Sequence, residues 1–464
     1  MPSKYVIHVR QVPDRFKTIT KSGIIAWEEG CLKCAVCVKK QCVYGVYDNR
    51  DLDPHQMVDS IDNQCMNCYR CVQGCPKELI HKSLNPEFKA MGDTHWSPEI
   101  ISKLWYQAQT GKIPVSGAGY PGPFIGPGFD SIWTDMSEIV RPTRDGIHGR
   151  EYISTAIDIG RTPGQLIFDN NGGLKGDSLN LLDIPLPIIL RVPSFGSLSE
   201  KTLKGWAMAA RRLGLLLALP HAMIKGDLEG YKANLIPAFS PDDRLVQLGD
   251  EIRMVEVVWD KKWREVVDEV RDLYPNALIS VRLPLTCQAG KEIIKLVDAG
   301  CSVFHLEASF HGRSADNQSR FAKDDIRAAH LLLVNEGIRD EITLLASGGL
   351  AMAEHVAKAL ICGADGTFID FAALIALECR MCRRCEKGLS CPVEIEKAPP
   401  KWVASRTVNL LGAFHNQLLE VMGAMGIREC RRLRGEAGRA MFFEDLDPET
   451  FGSMDKLEEG VELE

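Results

Sequence analysis

The sequence predicts an α/β fold built on a (β/α)8 TIM barrel, with a small cysteine-rich α+β module ahead of it and a helical extension behind it. Three observations carry this. Eight short apolar runs between Pro187 and Asp370 alternate with amphipathic helical patterns. Apolar runs flanked by such helices indicate parallel strands covered on both faces. Cysteines are concentrated near the N-terminus in two combs of four, and a third comb follows the last apolar run. After Pro392, apolar residues recur at helical spacing through Val403–Met425. A doubly wound α/β sheet is the alternative to the barrel.

The chain has 464 residues, 45% hydrophobic and 25% charged, with a formal net charge of −7. That balance is ordinary for a globular protein and argues against nucleic-acid binding, which needs a basic face. The locally basic run Arg428–Arg439 is read as a solvated face. The N-terminal stretch lacks an apolar secretory segment, and no run reaches the ~20 residues of a membrane span. A cytoplasmic protein without a membrane span is expected, and Asn317–Ser319 then has no meaning as a glycosylation site.

The first expected unit is 1–95. The 16 cysteines of the chain are more than a core of this size needs. The first comb is Cys31, Cys34, Cys37 and Cys42, and the second is Cys65, Cys68, Cys71 and Cys75. Each opens C-x2-C-x2-C, a spacing that wraps three thiolates around one cuboidal iron–sulfur cluster. The second closes C-x3-C-P, the bacterial ferredoxin run. Two [4Fe-4S] clusters are expected, with the fourth cysteine of each comb ligating the other cluster. Cys31, Cys34, Cys37 and Cys75 then hold one, and Cys65, Cys68, Cys71 and Cys42 the other. Cys42 departs from the pattern, because Val43 rather than proline follows it. Structural zinc is the rival reading.

Residues 96–180 are expected to bridge. Ser116–Gly128 is too rich in Gly and Pro for regular structure, which suggests an extended arm. It holds a literal G-x-G-x-x-G at Gly117, Gly119 and Gly122. Pro121 and Pro123 interrupt it and no helix opens after it, so it is rejected as a nucleotide fingerprint.

The barrel is expected over 181–378, with strands at Pro187–Val192, Leu215–Leu219, Asn234–Phe239, Met254–Trp259, Ala277–Leu283, Ser302–Glu307, Ile342–Ala346 and Thr367–Asp370. Helices are expected at Glu200–Leu213, Trp263–Leu273, Lys291–Ala299, Arg320–Asn335 and Met352–Cys362. Chemistry in such barrels sits at the C-terminal strand ends, and phosphates bind after strands seven and eight. Ser347–Leu350 and Gly363–Leu374 lie there, so a phosphorylated ligand is favoured. Candidates for general acid/base work at that end are Lys225, Glu307 and His311. Glu307 stands out because a strand-end carboxylate in an apolar run needs a partner.

The last unit, 379–464, opens with the third comb, Cys379, Cys382, Cys385 and Cys391, which is expected to hold one further iron–sulfur cluster. A helical extension and an acidic tail follow. The four remaining cysteines, Cys287, Cys301, Cys362 and Cys430, are read as small buried hydrophobes.

These residues carry a resemblance. The segments PSFGSLSEKTLKGWAMAARRLG, GCSVFHLEAS, GIRDEITLLASGGLAMAEHVAKALICGADG and FAALIALECRMC resemble the FMN-binding synthase domain of the glutamate synthase family. With the N-terminal combs, the layout is similar to its archaeal-type members. The resemblance implies FMN, with Pro193, Ser194, Phe195 and Gly196 against the flavin ring. It places Ser347, Gly348, Gly349, Gly366 and Thr367 on the phosphate, and Arg282 where the family has a lysine near the flavin pyrimidine. Four cysteines in the third comb favour a four-iron over a three-iron cluster.

The departures matter too. A glutamine-hydrolysing domain with an N-terminal cysteine nucleophile is not expected, since Pro2 follows Met1. The family's 2-oxoglutarate loops are replaced by WDKKW at Trp259–Trp263, by Ala308–Asn317 and by Pro220–Tyr231. The expected function is an iron–sulfur flavoprotein oxidoreductase relaying electrons between clusters and FMN. It would act as a subunit of a larger redox complex or with ferredoxin, and a small-molecule substrate at the flavin is open. Alternatives are a glutamate synthase lacking its own glutaminase domain and a non-enzymatic scaffold.

Overall fold

The structure is a computed structural model that describes residues 5–16, 18–19, 21–26, 32, 34–46, 68–113, 126–134, 153–162, 167–168, 174–175, 181–436, 438, 440–443 and 445–446. Eight parallel strands close a barrel: Ile188–Arg191, Leu217–Pro220, Leu235–Phe239, Met254–Val258, Leu278–Pro284, Val303–Glu307, Thr343–Ser347 and Gly366–Ile369. The eighth returns to the first with Thr367 opposite Ile188. Burial on both sides explains the unbroken apolar runs; every residue of Leu235–Phe239 is buried.

Helices cover most strands. Glu200–Leu213 begins at a Ser199–Thr202 capping box and stops at Gly214, whose φ of 67° suits a left-handed cap. Trp263–Leu273 turns Val266, Val267 and Val270 inward. The second crossover has only 3₁₀ turns, including Gly226–Asn234, and the third, 240–253, has no helix. These two crossovers keep the barrel lean.

The N-terminal end of the barrel is covered by Ile157–Gly160 paired antiparallel with Leu181–Ile184. The Thr343 hydroxyl donates to the Gly160 carbonyl at 2.9 Å. At the other end of the chain, helix Pro400–Met425 lies on Glu200–Leu213 and crosses it at Gly205. A Cβ there would stand 2.5 Å from Val403 Cβ and 2.9 Å from the Pro400 carbonyl. Gly205→Ala should therefore lower stability by about 1–3 kcal/mol through overpacking, read as a fall in the urea midpoint at unchanged slope.

Ahead of the barrel, Ser22–Ala26 pairs antiparallel with Ile80–Leu84. A small core forms around buried Val46, with Cys37, Cys42 and Cys71 packed on it. One difference from expectation lies in the bridge. Pro98–Thr110 is a helix, and Trp96, Ile101 and Leu104 are fully buried in the main core. This part is a structural layer, because its apolar face packs against Pro400–Met425. The G-x-G-x-x-G stretch lies outside the described residues. Arg406 joins the units: Nη1 meets Asp14 at 2.6 Å, Nε donates to the Ala376 carbonyl at 2.6 Å, and Nη2 donates to the Trp105 carbonyl at 3.3 Å. No helix among the described residues is long and apolar enough to cross a membrane.

Candidate active site and cysteine centres

The mouth of the barrel, at the C-terminal strand ends, holds a polar network drawn from five strands. Buried Glu256, from the fourth, accepts at 2.6 Å from His305 Nδ1 on the sixth and lies 3.2 Å from Arg282 Nε on the fifth. His305 Nε2 meets the Ser347 hydroxyl at 2.7 Å, and Ser347 also accepts from Arg191 Nη1 at 3.2 Å. Glu307 closes the network, accepting from Arg191 Nη2 and from Arg282 Nη1 at 3.3 Å.

Burial alone would push the Glu256 carboxyl up. His305, Arg282 and Arg191 outweigh it and hold the group at about 2. Burial also opposes ionisation of Glu307, but the two guanidiniums keep it below the usual carboxylate range. Burial pulls the His305 imidazole below its ordinary value, against the pull of the Glu256 carboxylate. Glu307 is therefore a clamped carboxylate and a poor proton donor. Asp370, at the mouth end of the eighth strand, is buried, and its carboxyl is pushed up by that burial.

The other acid/base candidates lie apart from this network. His311 Nε2 meets Asp93 at 2.9 Å, and Lys225 is exposed at the start of the Gly226–Asn234 turn. Arg282 is at the mouth, though its charge is committed to two carboxylates. Gly366 and Thr367 require a correction. Both begin the eighth strand at the N-terminal end of the barrel, where the Thr367 hydroxyl donates to the Pro187 carbonyl at 2.9 Å and Gly366 abuts Ile157. The strand runs on to Ile369, so its mouth end is Asp370, and neither residue can reach a phosphate there. The Ser347 hydroxyl is likewise taken up by Arg191 and His305.

Gly348 and Gly349 do lie at the mouth. Their φ angles of 99° and 68° form a turn that only glycine tolerates, because a Cβ on either would strike the backbone of Ala308–Gly312. Neither N–H finds an acceptor among the described residues. The turn and the loop beside it are held by the preceding unit: His95 Nε2 lies 2.9 Å from the Gly349 carbonyl, and Trp96 Nε1 donates to the Phe310 carbonyl at 2.9 Å. After the first strand, Pro193 is buried, Ser194 is exposed, and Phe195 packs on Phe371 and Phe310 with centroids 4.5 and 5.7 Å away.

The third comb sits against that loop. Cys379, Cys382, Cys385 and Cys391 line one cavity with Phe195 and Gly196. The Arg383 guanidinium lies 5.6 Å from the Phe195 ring and 5.2 Å from that of Phe310. Each comb bends through non-glycine residues at positive φ: Ala35 in the first, Tyr69 in the second, Met381 and Arg383 in the third. Such residues are uncommon and mark functional constraint. Backbone N–H groups reach sulfur at Met381 to Cys379 and Leu79 to Cys75, both 3.4 Å. Among the described residues no three His, Cys, Asp or Glu side chains converge to hold a single metal ion. Cys31 and Cys65 lie outside the described residues. Of the lone cysteines, Cys301, Cys362 and Cys430 are buried as expected, whereas Cys287 is exposed.

Arg191, Glu256, His305 and Asp370 escaped the sequence reading. The available signal was a single charged or polar residue inside an apolar strand, as in MVEVV and VFHLE, since such a group must find partners.

Residues 253–428 match the conserved region in glutamate synthase. Archaeal-type glutamate synthase [NADPH] of Dehalococcoides mccartyi is 24% identical over 474 residues, covering 88% of this chain and 92% of that protein. Archaeal glutamate synthase [NADPH] of Archaeoglobus fulgidus is 24% identical over 495 residues, covering 92% and 95%. Among solved structures, a flavocytochrome b2 variant with benzoylformate aligns at a TM-score of 0.44 and 14% identity, over 72% of this chain and 82% of that one. The matched region includes Glu256, Arg282, His305 and Glu307 of the mouth. The chain is similar to proteins of the glutamate synthase family along most of its length.

Proposed function

We propose that this oxidoreductase relays electrons between three iron–sulfur clusters and an FMN at the barrel mouth, as one subunit of a larger redox complex. The observation that carries the reading is the shared cavity, in which the four cysteines of the third comb meet Phe195 and Gly196 of the first mouth loop. Four thiols arranged around a cavity suit a cluster of several irons better than one zinc ion. In the N-terminal unit, Cys31, Cys34, Cys37 and Cys75 would hold one cluster, and Cys65, Cys68, Cys71 and Cys42 the other.

The N–H groups of Gly348 and Gly349, without an acceptor among the described residues, fit a phosphate, since adjacent backbone donors make an anion cradle. Bound there, FMN would supply the exchange between two-electron and one-electron chemistry. The chain's own part is to cradle the phosphate, to present Phe195 at the ring side, and to keep a fixed, charge-balanced network beneath. Glu307 acts in this scheme as a positioned carboxylate, while His311 anchors its loop to Asp93. Lys225 is left as a candidate only for a ligand reaching the exposed rim. The names of the relatives favour a second reading, glutamate synthesis, for which 2-oxoglutarate would be the carbon substrate.

Anaerobic native purification tests the relay. It should yield about one flavin and about twelve irons per chain, as three four-iron clusters, together with redox partners identified by mass spectrometry. Flavin-free protein would end the FMN reading, and zinc in place of iron would end the cluster reading.

A further inference from the structure

The barrel mouth already contains a carboxylate clasped by two arginines, and it belongs to the chain itself. Glu307 takes a hydrogen bond from Arg191 on one side and from Arg282 on the other. Its side chain remains 36% exposed, whereas those of Arg191 and Arg282 are 14% and 18% exposed. Solvent at the mouth thus meets the arginines mainly through Glu307. Below it, Glu256 ion-pairs with Arg282, 3.2 Å from its Nε but without a hydrogen bond there, and accepts from His305. Two guanidiniums face two carboxylates, so within this cluster no cation is left over for an incoming anion. Paired guanidiniums are the usual means of gripping a carboxylate, and here the grip is filled.

We propose that Glu307 is a built-in occupant of a two-arginine carboxylate site, and that it determines specificity by turning the mouth away from dicarboxylates such as 2-oxoglutarate and towards uncharged molecules. This rests on the oxidoreductase reading only in taking the mouth as the place where a substrate would bind. Removing that side chain would leave Arg191 without its carboxylate partner and would open space beside it. A small free carboxylate could then take the vacated place.

The test is a gain of binding. The anaerobically purified full chain and its Glu307→Ala and Glu307→Gln variants are titrated with 2-oxoglutarate, and separately with acetate, by calorimetry. Wild type should show no saturable binding of either. Glu307→Ala should bind 2-oxoglutarate at least about tenfold more tightly than wild type, equivalent to about 1.4 kcal/mol. Acetate should raise its Tm and leave that of wild type unchanged. Glu307→Gln should gain less, since the amide fills the space while losing the charge. Adding Arg191→Met to Glu307→Ala should abolish the gain. Saturable binding of 2-oxoglutarate to wild type overturns the proposal, as does a folded Glu307→Ala that gains nothing. If Glu307→Ala does not fold, the wild-type titration and Glu307→Gln decide the matter. Flavin content of the same preparations separates the two ideas: its absence ends the FMN reading and leaves the binding result standing.

Discussion

Glu256→Ala should destabilise the protein by about 3–5 kcal/mol, the usual cost of stripping a buried charge of its partner. Glu256 is 1% exposed and serves two neighbours directly, Arg282 Nε and His305 Nδ1. Its loss leaves the Arg282 charge inside the barrel with only Glu307 to balance it. It also removes the acceptor that orients the His305 ring towards Ser347. A change of this size is a large fraction of the stability of a typical domain. Denaturant unfolding at pH 7 measures it, and a loss below about 1 kcal/mol would mean that the network does not bear the charge as drawn.

The same residue predicts a pH dependence with a definite sign. The carboxyl lies near 2 when folded, against 4.5 as its ordinary value. The folded state therefore binds the proton more weakly than the unfolded chain does. Its contribution is fully present above pH 4.5 and is lost as the pH falls from there towards 2. Wild type should lose stability across that window, and Glu256→Ala should lose less, because the titrating group is gone.

How far the sequence reveals this molecule depends on the range of the interaction. The eight strands could be located because a parallel strand buried on both faces must be apolar throughout; Asn234–Phe239 was expected and Leu235–Phe239 observed. Helix Glu200–Leu213 could be placed to the residue because its cap and its stop are local. Helix Pro98–Thr110 had equally local signals, Ser97 as cap and Pro98 in its first turn, but the Gly- and Pro-rich stretch after it dominated the reading. At the mouth, Glu307 and Arg282 could be singled out by their place at strand ends. Their partners could not. His305 and Glu256 are 49 residues apart, and only barrel closure decides that they face each other. Gly366 and Thr367 were misplaced for a related reason. The resemblance puts them on the phosphate, but a phosphate site lies at the C-terminal end of a strand, and here the pair opens the strand.

Cys379→Ser should remove about one third of the iron, roughly four of twelve atoms per chain, with the visible absorbance and paramagnetic signal of one cluster. The argument rests on backbone conformation as well as cysteine spacing. Glu378, Met381 and Arg383 have φ of 71°, 50° and 54°. Non-glycine residues pay roughly 1–3 kcal/mol each for such angles, so three within six positions need a compensating interaction. The Met381 N–H aimed at Cys379 Sγ, 3.4 Å away, indicates its nature: the bends turn backbone donors towards sulfur. A bound cluster would offset the strain through its bonds to the thiolates and the N–H groups around them. Cys379→Ser should then lower thermal stability as well as iron, because the bends would persist without what favours them. Cys287→Ser is the control, since that exposed thiol meets Asp316 and Gln288 and should leave iron content unchanged. Full iron in Cys379→Ser would detach the third comb from the relay, and with it the path from cluster cavity to Phe195 and the barrel mouth.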